Sequence, residues 1–210
     1  VELLPIFDFL DSLPLNKSGG VLEIGVHHGL FYLLLNQLSE KDALSYAVDV
    51  FDYQNLNIDH SGSGDKTVFK SNMLKFDRHH GSNTTIIEGD STDSKLWSTS
   101  DIPMGTMKFI SIDGGHTAEH TVNDLKLSSQ YICNEGVVIL DDILNYHWLG
   151  VIEGYFKFMA SSPSLVPFAI GHNKLFMCKL GYQSMYFDYL AKSKFCTKHV
   201  QSLGYTLVAL

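Results

Sequence analysis

Carboxylates follow two apolar segments of the chain, at positions where a predicted strand ends. Asp113 comes directly after the segment MKFISI and is followed three residues later by His116, while Asp141 and Asp142 come directly after VVIL. If the two strands are neighbours in a parallel sheet, the three carboxylates meet at one edge, where they repel one another unless a cation neutralises them. Oxygen ligands favour a hard cation such as Mg²⁺, and with one His and no Cys nearby zinc is less favoured. The pattern therefore predicts a Mg²⁺ site at this edge of the sheet.

Each member of this group also has an ordinary structural explanation. Asp113 precedes a predicted helix and could serve only as its cap, and Asp142 could be a plain turn residue. His116 could be a solvated residue of the first helical turn. Their joint occurrence at the edge expected to hold a ligand favours the functional interpretation.

A glycine-containing turn follows the first predicted strand. Gly25 and Gly29 lie four residues apart between the segment VLEI and a Leu-rich predicted helix, so the backbone can approach a ligand there. The dinucleotide fingerprint G-x-G-x-x-G is not met because His27 occupies its middle position, so a dinucleotide is disfavoured. Glu23 before the turn and Asp49 after the next strand fit a ligand that has an amino-acid moiety and a ribose diol. A simple strand-end turn and a packing glycine are the alternative roles of the two glycines.

With its flanking acids, this turn resembles the first motif of the class I S-adenosylmethionine-dependent methyltransferases. The resemblance implies that the turn surrounds the methionine part of the cofactor and that the acid after the second strand binds the ribose hydroxyls. The segment EGDS after the third strand is similar to the part of the family that lies near the adenine. The cofactor-binding residues implied in this way are Glu23, Gly25, Gly29, Asp49, Asp90, Ser91 and Asp113.

A narrower resemblance covers the segment FISIDGGHTAEHTVNDLKLSSQYICNEGVVILDDI. It is similar to the core of the metal-dependent sugar O-methyltransferases of the macrocin and mycinamicin type, which have an Asp-x-x-His motif and a later acidic pair. This resemblance implies that Asp113, Asp141 and Asp142 are Mg²⁺ ligands and that His116 is the general base. It further implies methyl transfer from S-adenosylmethionine to a hydroxyl, of a sugar or of another small-molecule acceptor.

Two other functions stay open at this point. The chain could be a metal-independent methyltransferase in which the acids only shape the pocket, or a non-catalytic module that binds S-adenosylmethionine for a partner. The segment that begins at His147 and Trp148, just after the acidic pair, could line an acceptor pocket or simply pack at the start of a helix.

Predicted strands and helices alternate through the first two thirds of the chain, which favours an α/β fold. Together with the resemblance, this predicts a Rossmann-like class I methyltransferase fold with a seven-stranded, mostly parallel sheet and a C-terminal antiparallel hairpin. The hairpin is expected over residues 166–179, and the polar residues 52–66 are expected to form a lid. A single domain is predicted over residues 1–210, with an irregular tail from about residue 181.

Composition limits the remaining function classes. Fifteen Lys and Arg against 23 Asp and Glu give a net charge of −8, which argues against a nucleic-acid partner. The longest apolar run, Leu30–Leu35, is far shorter than the roughly 20 residues of a membrane span. Val1–Leu10 lacks the basic start of a secretory signal, although a segment before Val1 stays open. Aromatic residues near the C-terminus leave a homo-oligomer open, and three cysteines without a disulfide or zinc pattern favour the cytoplasm: Cys133, Cys178 and Cys196.

Overall fold

A computed structural model of the chain describes residues 3–15, 18–161 and 163–210. Val1 and Glu2, which belong to the segment considered as a signal, lie outside the described residues. Nine strands form one sheet, and their ranges are β1 (Gly20–Ile24), β2 (Ser45–Asp49), β3 (Thr84–Glu88), β4 (Met107–Ile112), β5 (Ile132–Leu140), β6 (Leu165–Gly171), β7 (Lys174–Lys179), β8 (Lys198–Ser202) and β9 (Tyr205–Ala209). Seven α-helices are described, namely α1 (Leu3–Ser12), α2 (Leu30–Asn36), α3 (Lys66–Phe76), α4 (Ser94–Ser98), α5 (Ala118–Tyr131), α6 (Leu149–Ala160) and α7 (Gln183–Leu190).

The strand order is β3-β2-β1-β4-β5-β7-β6-β9-β8. The first five strands in this order are parallel, whereas β7 runs antiparallel to both β5 and β6. The predicted α/β class, with a mostly parallel sheet and an antiparallel hairpin of β6 and β7, is confirmed. The sheet has nine strands, where seven were predicted, because β9 and β8 are added beyond β6.

Apolar side chains fill both faces of the sheet, which is why its strands are nearly continuous hydrophobic runs. Neighbouring residues of β1 illustrate this arrangement, since Val21 packs in the layer of α1, α2, α3 and α7, and Leu22 packs in the layer of α4, α5 and α6. Phe109 and Ile110 of β4 divide between the two layers in the same way. The two-sided core fixes the positions of the strand ends where the predicted functional residues lie.

The segment after residue 180 is regular, which corrects the prediction of an irregular tail. A short 3₁₀ turn leads into α7, and the hairpin of β8 and β9 follows, with β9 parallel to β6. Burial of aromatic side chains explains why this segment is regular, because Tyr186 of α7 is fully buried and stacks on Phe168 of β6 with 4.6 Å between ring centroids.

The order of the strands reverses at β1, because the chain passes from β1 outward to β2 and β3 and then returns to β4 on the other side. In open α/β sheets, such a switch leaves a crevice at the carboxyl ends of the strands, and ligands bind there. The acids predicted from the sequence lie at this end of the sheet. None of the helices in the described ranges has the length and apolar character needed to span a bilayer.

Candidate active site

A cavity of about 490 Å³ opens at the carboxyl ends of β1, β2, β4 and β5. This volume lies within the usual range of small-molecule sites. Its walls include most residues predicted from the sequence: Glu23, Gly25, Asp49, Asp90, Ser91, Asp113, His116, Asp141 and Asp142. The structure therefore brings the predicted metal set, and the predicted cofactor set apart from Gly29, to one cavity.

The turn after β1 packs tightly against the end of β4. Gly25 has a φ of 87°, and a Cβ built on it would lie 1.9 Å from the carbonyl oxygen of Asp113, so only glycine fits there. Gly29, at the start of α2, is not part of the cavity wall. Its φ is 88°, and a Cβ would lie 2.5 Å from the ring of Phe69. This contact fits the alternative role of a packing glycine, and cofactor binding by Gly29 stays a prediction.

Asp49 and Asp90, the acids predicted to lie near the ribose and the adenine, both line the cavity. Asp49 accepts backbone hydrogen bonds from His27 and Phe51, both 2.6 Å long, one at each carboxylate oxygen. Asp90 accepts two hydrogen bonds of 2.8 Å from Thr92, and its Oδ1 lies 3.3 Å from Nε2 of His120. His120 also lines the cavity and had no distinguishing signal in the sequence.

Three side chains form a tight group at the ends of β4 and β5. One ligand atom from each of Asp113, His116 and Asp142 lies within 4.8 Å of the other two, the one such group that could hold a metal among the described residues. Nε2 of His116 is 3.0 Å from Oδ2 of Asp142 and 3.8 Å from Oδ1 of Asp113. This nitrogen is buried and faces both carboxylates, but it forms no hydrogen bond within the described residues.

The charges in this group are strongly coupled. Burial alone would lower the pKa of His116, but the carboxylates of Asp113, Asp142 and Asp59 together raise it to about 10. Burial, with Asp141 adding to it, raises the pKa of Asp113 to about 6 although His116 opposes the shift. Burial would also raise the pKa of Asp142, yet its hydrogen bonds hold that pKa below the usual value. Without another cation, His116 is thus the positive charge that balances these carboxylates.

Asp141, the third predicted ligand, lies outside this group of three. Its Oδ2 accepts a hydrogen bond from Nζ of Lys174 on β7, and its Oδ1 accepts one of 2.8 Å from the backbone N–H of Asp142. Lys174 is buried with its Nζ 4.5 Å from the ring centroid of Phe31, so its ammonium needs a carboxylate partner within the fold. This ion pair directs the Asp141 side chain toward β7, and direct ligation by Asp141 remains a prediction.

Glu23 is a buried carboxyl group in the cavity wall. It is fully buried, and burial together with the charge of Asp113 raises its pKa well above the usual value. Its Oε1 has no hydrogen-bond partner in the described residues. A buried carboxyl group of this kind is suited to a cationic or hydrogen-bonding part of a ligand.

Asp59 and Trp148 complete the surroundings of His116. Oδ2 of Asp59 accepts hydrogen bonds from the backbone N–H and from Nδ1 of His116, at 2.5 and 3.0 Å. Burial would raise the pKa of Asp59, but the bonds from Ser61 and His116 lower it to about 2. The indole of Trp148 stacks on the imidazole, with 4.5 Å between centroids and 19° between planes, and it lines the cavity. Nothing in the sequence marked Asp59, because the contact spans 57 positions.

These features define an α/β enzyme fold whose ligand cavity lies at the switch point of a parallel sheet. The family described as "Methyltransferase domain" matches residues 22–143, which is more than half of the chain. The chain belongs to this family, and its fold is that of the class I S-adenosylmethionine-dependent methyltransferases. The predicted family, fold and enzyme class are confirmed.

Solved structures with this fold include several O-methyltransferases. The O-methyltransferase NovP is 15% identical, with a TM-score of 0.63 over 84% of this chain and 78% of NovP. CalS11, a TDP-rhamnose 3'-O-methyltransferase in calicheamicin biosynthesis, is 18% identical, with a TM-score of 0.58 over 86% of this chain and 79% of CalS11. An O-methyltransferase from Bacillus cereus in complex with SAH is 13% identical, with a TM-score of 0.57 over 84% of this chain and 87% of that one. No curated protein gives a significant sequence match.

Proposed function

We propose that this methyltransferase transfers the methyl group of S-adenosylmethionine to a hydroxyl of a small-molecule acceptor, assisted by a Mg²⁺ ion at Asp113 and Asp142. The observation that carries this proposal is the convergence of Asp113, His116 and Asp142 within 4.8 Å at the wall of the cavity that also contains Asp49 and Asp90. The acids expected to hold the cofactor and a group suited to hydroxyl chemistry thus line one cavity.

The residues present fit a divalent cation. The two carboxylates at the site face the imidazole of His116, and Mg²⁺ is usually bound by one or two carboxylates together with water and substrate oxygens. Asp142 has a φ of 58°, a conformation that Asp tolerates and that functional residues often adopt. When bound, Mg²⁺ would make an acceptor hydroxyl more acidic and fix its orientation.

His116 is the residue best placed to accept the proton of that hydroxyl. The carboxylates of Asp113 and Asp142 raise the pKa of His116 to about 10, which leaves the imidazole charged at neutral pH. Neutralising those carboxylates would lower this pKa and leave Nε2 able to accept a proton. In the transfer, the oxygen forms a bond to the methyl carbon as the sulfur–methyl bond breaks, and the proton goes to Nε2.

The acceptor class rests on the resemblance to sugar O-methyltransferases and on the cavity wall. Trp148 exposes an indole next to His116, and its flat face is suited to packing against a sugar or another ring. Two neighbouring hydroxyls on such a ring could occupy adjacent positions near Asp113 and Asp142.

The experiment that tests this proposal separates cofactor binding from metal binding. S-adenosylhomocysteine is titrated by calorimetry in EDTA, and Mn²⁺ binding is followed by electron paramagnetic resonance. We expect Asp113→Asn and Asp142→Asn to retain S-adenosylhomocysteine affinity within a few fold while Mn²⁺ affinity falls at least about tenfold, the range seen when a ligand or its support is removed. Asp188→Asn, an exposed change on α7, should behave as wild type. Mn²⁺ affinity that is indifferent to both site variants would contradict the metal assignment.

A metal-independent methyltransferase is the second candidate, and one observation favours it. Lys174 already neutralises Asp141, and His116 already compensates Asp142, so the acids have partners without an ion. Methyl transfer that persists in EDTA would select this candidate. A non-catalytic module would bind S-adenosylhomocysteine, yet would not transfer labelled methyl groups to any member of a panel of hydroxylated acceptors.

A further inference from the structure

The loop between β2 and α3 reaches across the cavity and touches His116. Asp59, near the middle of this loop, accepts hydrogen bonds at a single oxygen from both the backbone N–H and Nδ1 of His116. The side chains of both residues are about 90% buried, with exposed fractions of 10% and 9%. A contact this well shielded from water holds the ring in one orientation.

Asp59 is itself held by its own loop. Its other oxygen, Oδ1, accepts hydrogen bonds from the backbone N–H of Ser61 at 3.0 Å and from the Ser61 hydroxyl at 2.6 Å. Asn57 donates a further hydrogen bond of 3.0 Å to the carbonyl oxygen of Gly62, which also lines the cavity. The Asp59 carboxylate is therefore held by its own loop, independently of its contact with the imidazole.

The direction of the imidazole follows from these contacts. Each ring nitrogen faces a carboxylate at 3.0 Å, Nδ1 that of Asp59 and Nε2 that of Asp142. When a cation neutralises Asp142, the hydrogen bond to Asp59 would keep the proton on Nδ1 and leave Nε2 as the nitrogen without a proton. Trp148 packs on one face of the ring and prevents it from tilting. A histidine that accepts a proton at Nε2 needs this tautomer and this orientation.

We propose that Asp59 is a positioning residue that holds His116 in the tautomer and orientation needed for proton transfer at Nε2. The inference rests on the proposed function of His116, but the orientation of the ring can be measured without any methyl transfer. Asp59 is not among the described residues that line the cavity, so it acts through His116 and not on the acceptor.

Trp148 supplies the measurement, because the chain contains only two tryptophans. The protein is labelled with 5-fluorotryptophan, and its two ¹⁹F resonances are assigned with Trp148→Phe. We expect Asp59→Asn to move the Trp148 resonance by more than its linewidth, since the imidazole beneath the indole loses its anchor, and to leave the Trp97 resonance in place. Asp52→Asn removes the same charge from an exposed position of the same loop and should move neither resonance.

Calorimetry with S-adenosylhomocysteine accompanies the spectra. Affinity within about threefold of the Asp52→Asn control, together with a shifted Trp148 resonance, supports positioning. A Trp148 resonance that stays in place overturns the proposal, and so does an equal movement of both resonances, which would mean a general disturbance of the fold. Loss of S-adenosylhomocysteine affinity without a Trp148 shift would also overturn it and would assign Asp59 to the cofactor side.

A second variant covers the case in which Asp59→Asn does not fold. Ser61→Ala keeps the carboxylate but removes the hydroxyl that fixes Oδ1. A smaller shift of the Trp148 resonance alone is then expected, and no shift would overturn the proposal. These spectra require neither Mn²⁺ binding nor methyl transfer. A failure of the proposed function can therefore be distinguished from a failure of the positioning role.

Discussion

Lys174 of β7 donates a hydrogen bond to Oδ2 of Asp141 at the end of the adjacent strand β5, and the exposed fractions of the two side chains are 5% and 17%. The charge of Lys174 also opposes the rise in the pKa of Glu23 and of Asp113, which line the same cavity. The ammonium of Lys174 is therefore a second positive charge, beside that of His116, in the largely acidic cavity wall.

Lys174→Met should destabilise the fold because it leaves the Asp141 carboxylate buried without its partner. Breaking one side of a buried pair typically costs about 3 to 5 kcal/mol, and we expect the lower end because Asp141 is partly exposed. Urea denaturation measures the loss, and Lys179→Met on the same strand serves as the control, since Lys179 makes only an exposed hydrogen bond of 3.2 Å to Asn134. Equal effects of the two variants would show that the pair does not stabilise the fold.

The pH dependence of stability should reveal the charged state of His116. Its pKa is raised to about 10 by Asp113, Asp142 and Asp59, above the value of about 6.5 expected in the unfolded chain. Its contribution to stability is therefore fully present below about pH 6.5 and is lost as the pH rises toward 10. Urea denaturation in EDTA across this range should show the decline.

Two comparisons isolate this effect from other titrations. His116→Asn should flatten the decline, because the variant has no imidazolium to lose. Saturating Mg²⁺ should also flatten it, because the ion would neutralise the same carboxylates and lower the pKa of His116. A decline of the same steepness in wild type and His116→Asn would assign it to another group.

The sequence predicted those parts of the site that local pattern determines. Asp113 directly follows β4 and Asp142 is the second residue after β5, and parallel neighbouring strands must end at the same edge, so their convergence could be predicted without coordinates. The contact of Asp59 with His116 spans 57 positions and that of Lys174 with Asp141 spans 33. Such contacts depend on how loops and hairpins pack in three dimensions, and no periodicity encodes them.

The tail of the chain shows the same limit for the fold. The aromatic character of α7 was visible in the sequence, and Tyr186 is indeed buried. The parallel pairing of β9 with β6, with Ala169 opposite Val208, joins residues nearly forty positions apart and needs the finished sheet as a template. Hydrophobic composition could indicate burial there, but not the register that makes the segment regular.

Asp124 of α5 should make stability depend on pH in the acidic range. It is completely buried, its Oδ2 has no partner in the described residues, and burial raises its pKa to about 6. The folded protein therefore holds a proton there that the unfolded chain releases near pH 4. The stability contributed by this proton is present below pH 4 and is lost as the pH rises through about 6.

The variant Asp124→Asn removes this titration. Its stability relative to wild type should improve by about 1.4 kcal/mol per pH unit between about pH 4 and 6, and then remain constant. Urea denaturation at pH 4, 5, 6 and 8 gives the comparison, and Asp188→Asn should show no such trend. A constant difference between Asp124→Asn and wild type across this range would mean that Asp124 ionises normally.

Gly29→Ala should affect the stability of the fold more than the binding of S-adenosylhomocysteine. A Cβ at this position would lie 2.5 Å from Phe69 in a backbone conformation with a φ of 88°, and Gly29 does not line the cavity. Gly105→Ala is the matched control, since Gly105 has a φ of 69° and open space around it, so it carries only the backbone strain. We expect Gly29→Ala to cost about 1 to 3 kcal/mol more than Gly105→Ala, the usual cost of overpacking.

Phe69→Leu in the Gly29→Ala background should recover part of this loss by relieving the contact. If calorimetry instead finds S-adenosylhomocysteine affinity reduced tenfold with stability equal to that of Gly105→Ala, Gly29 belongs to the cofactor site after all.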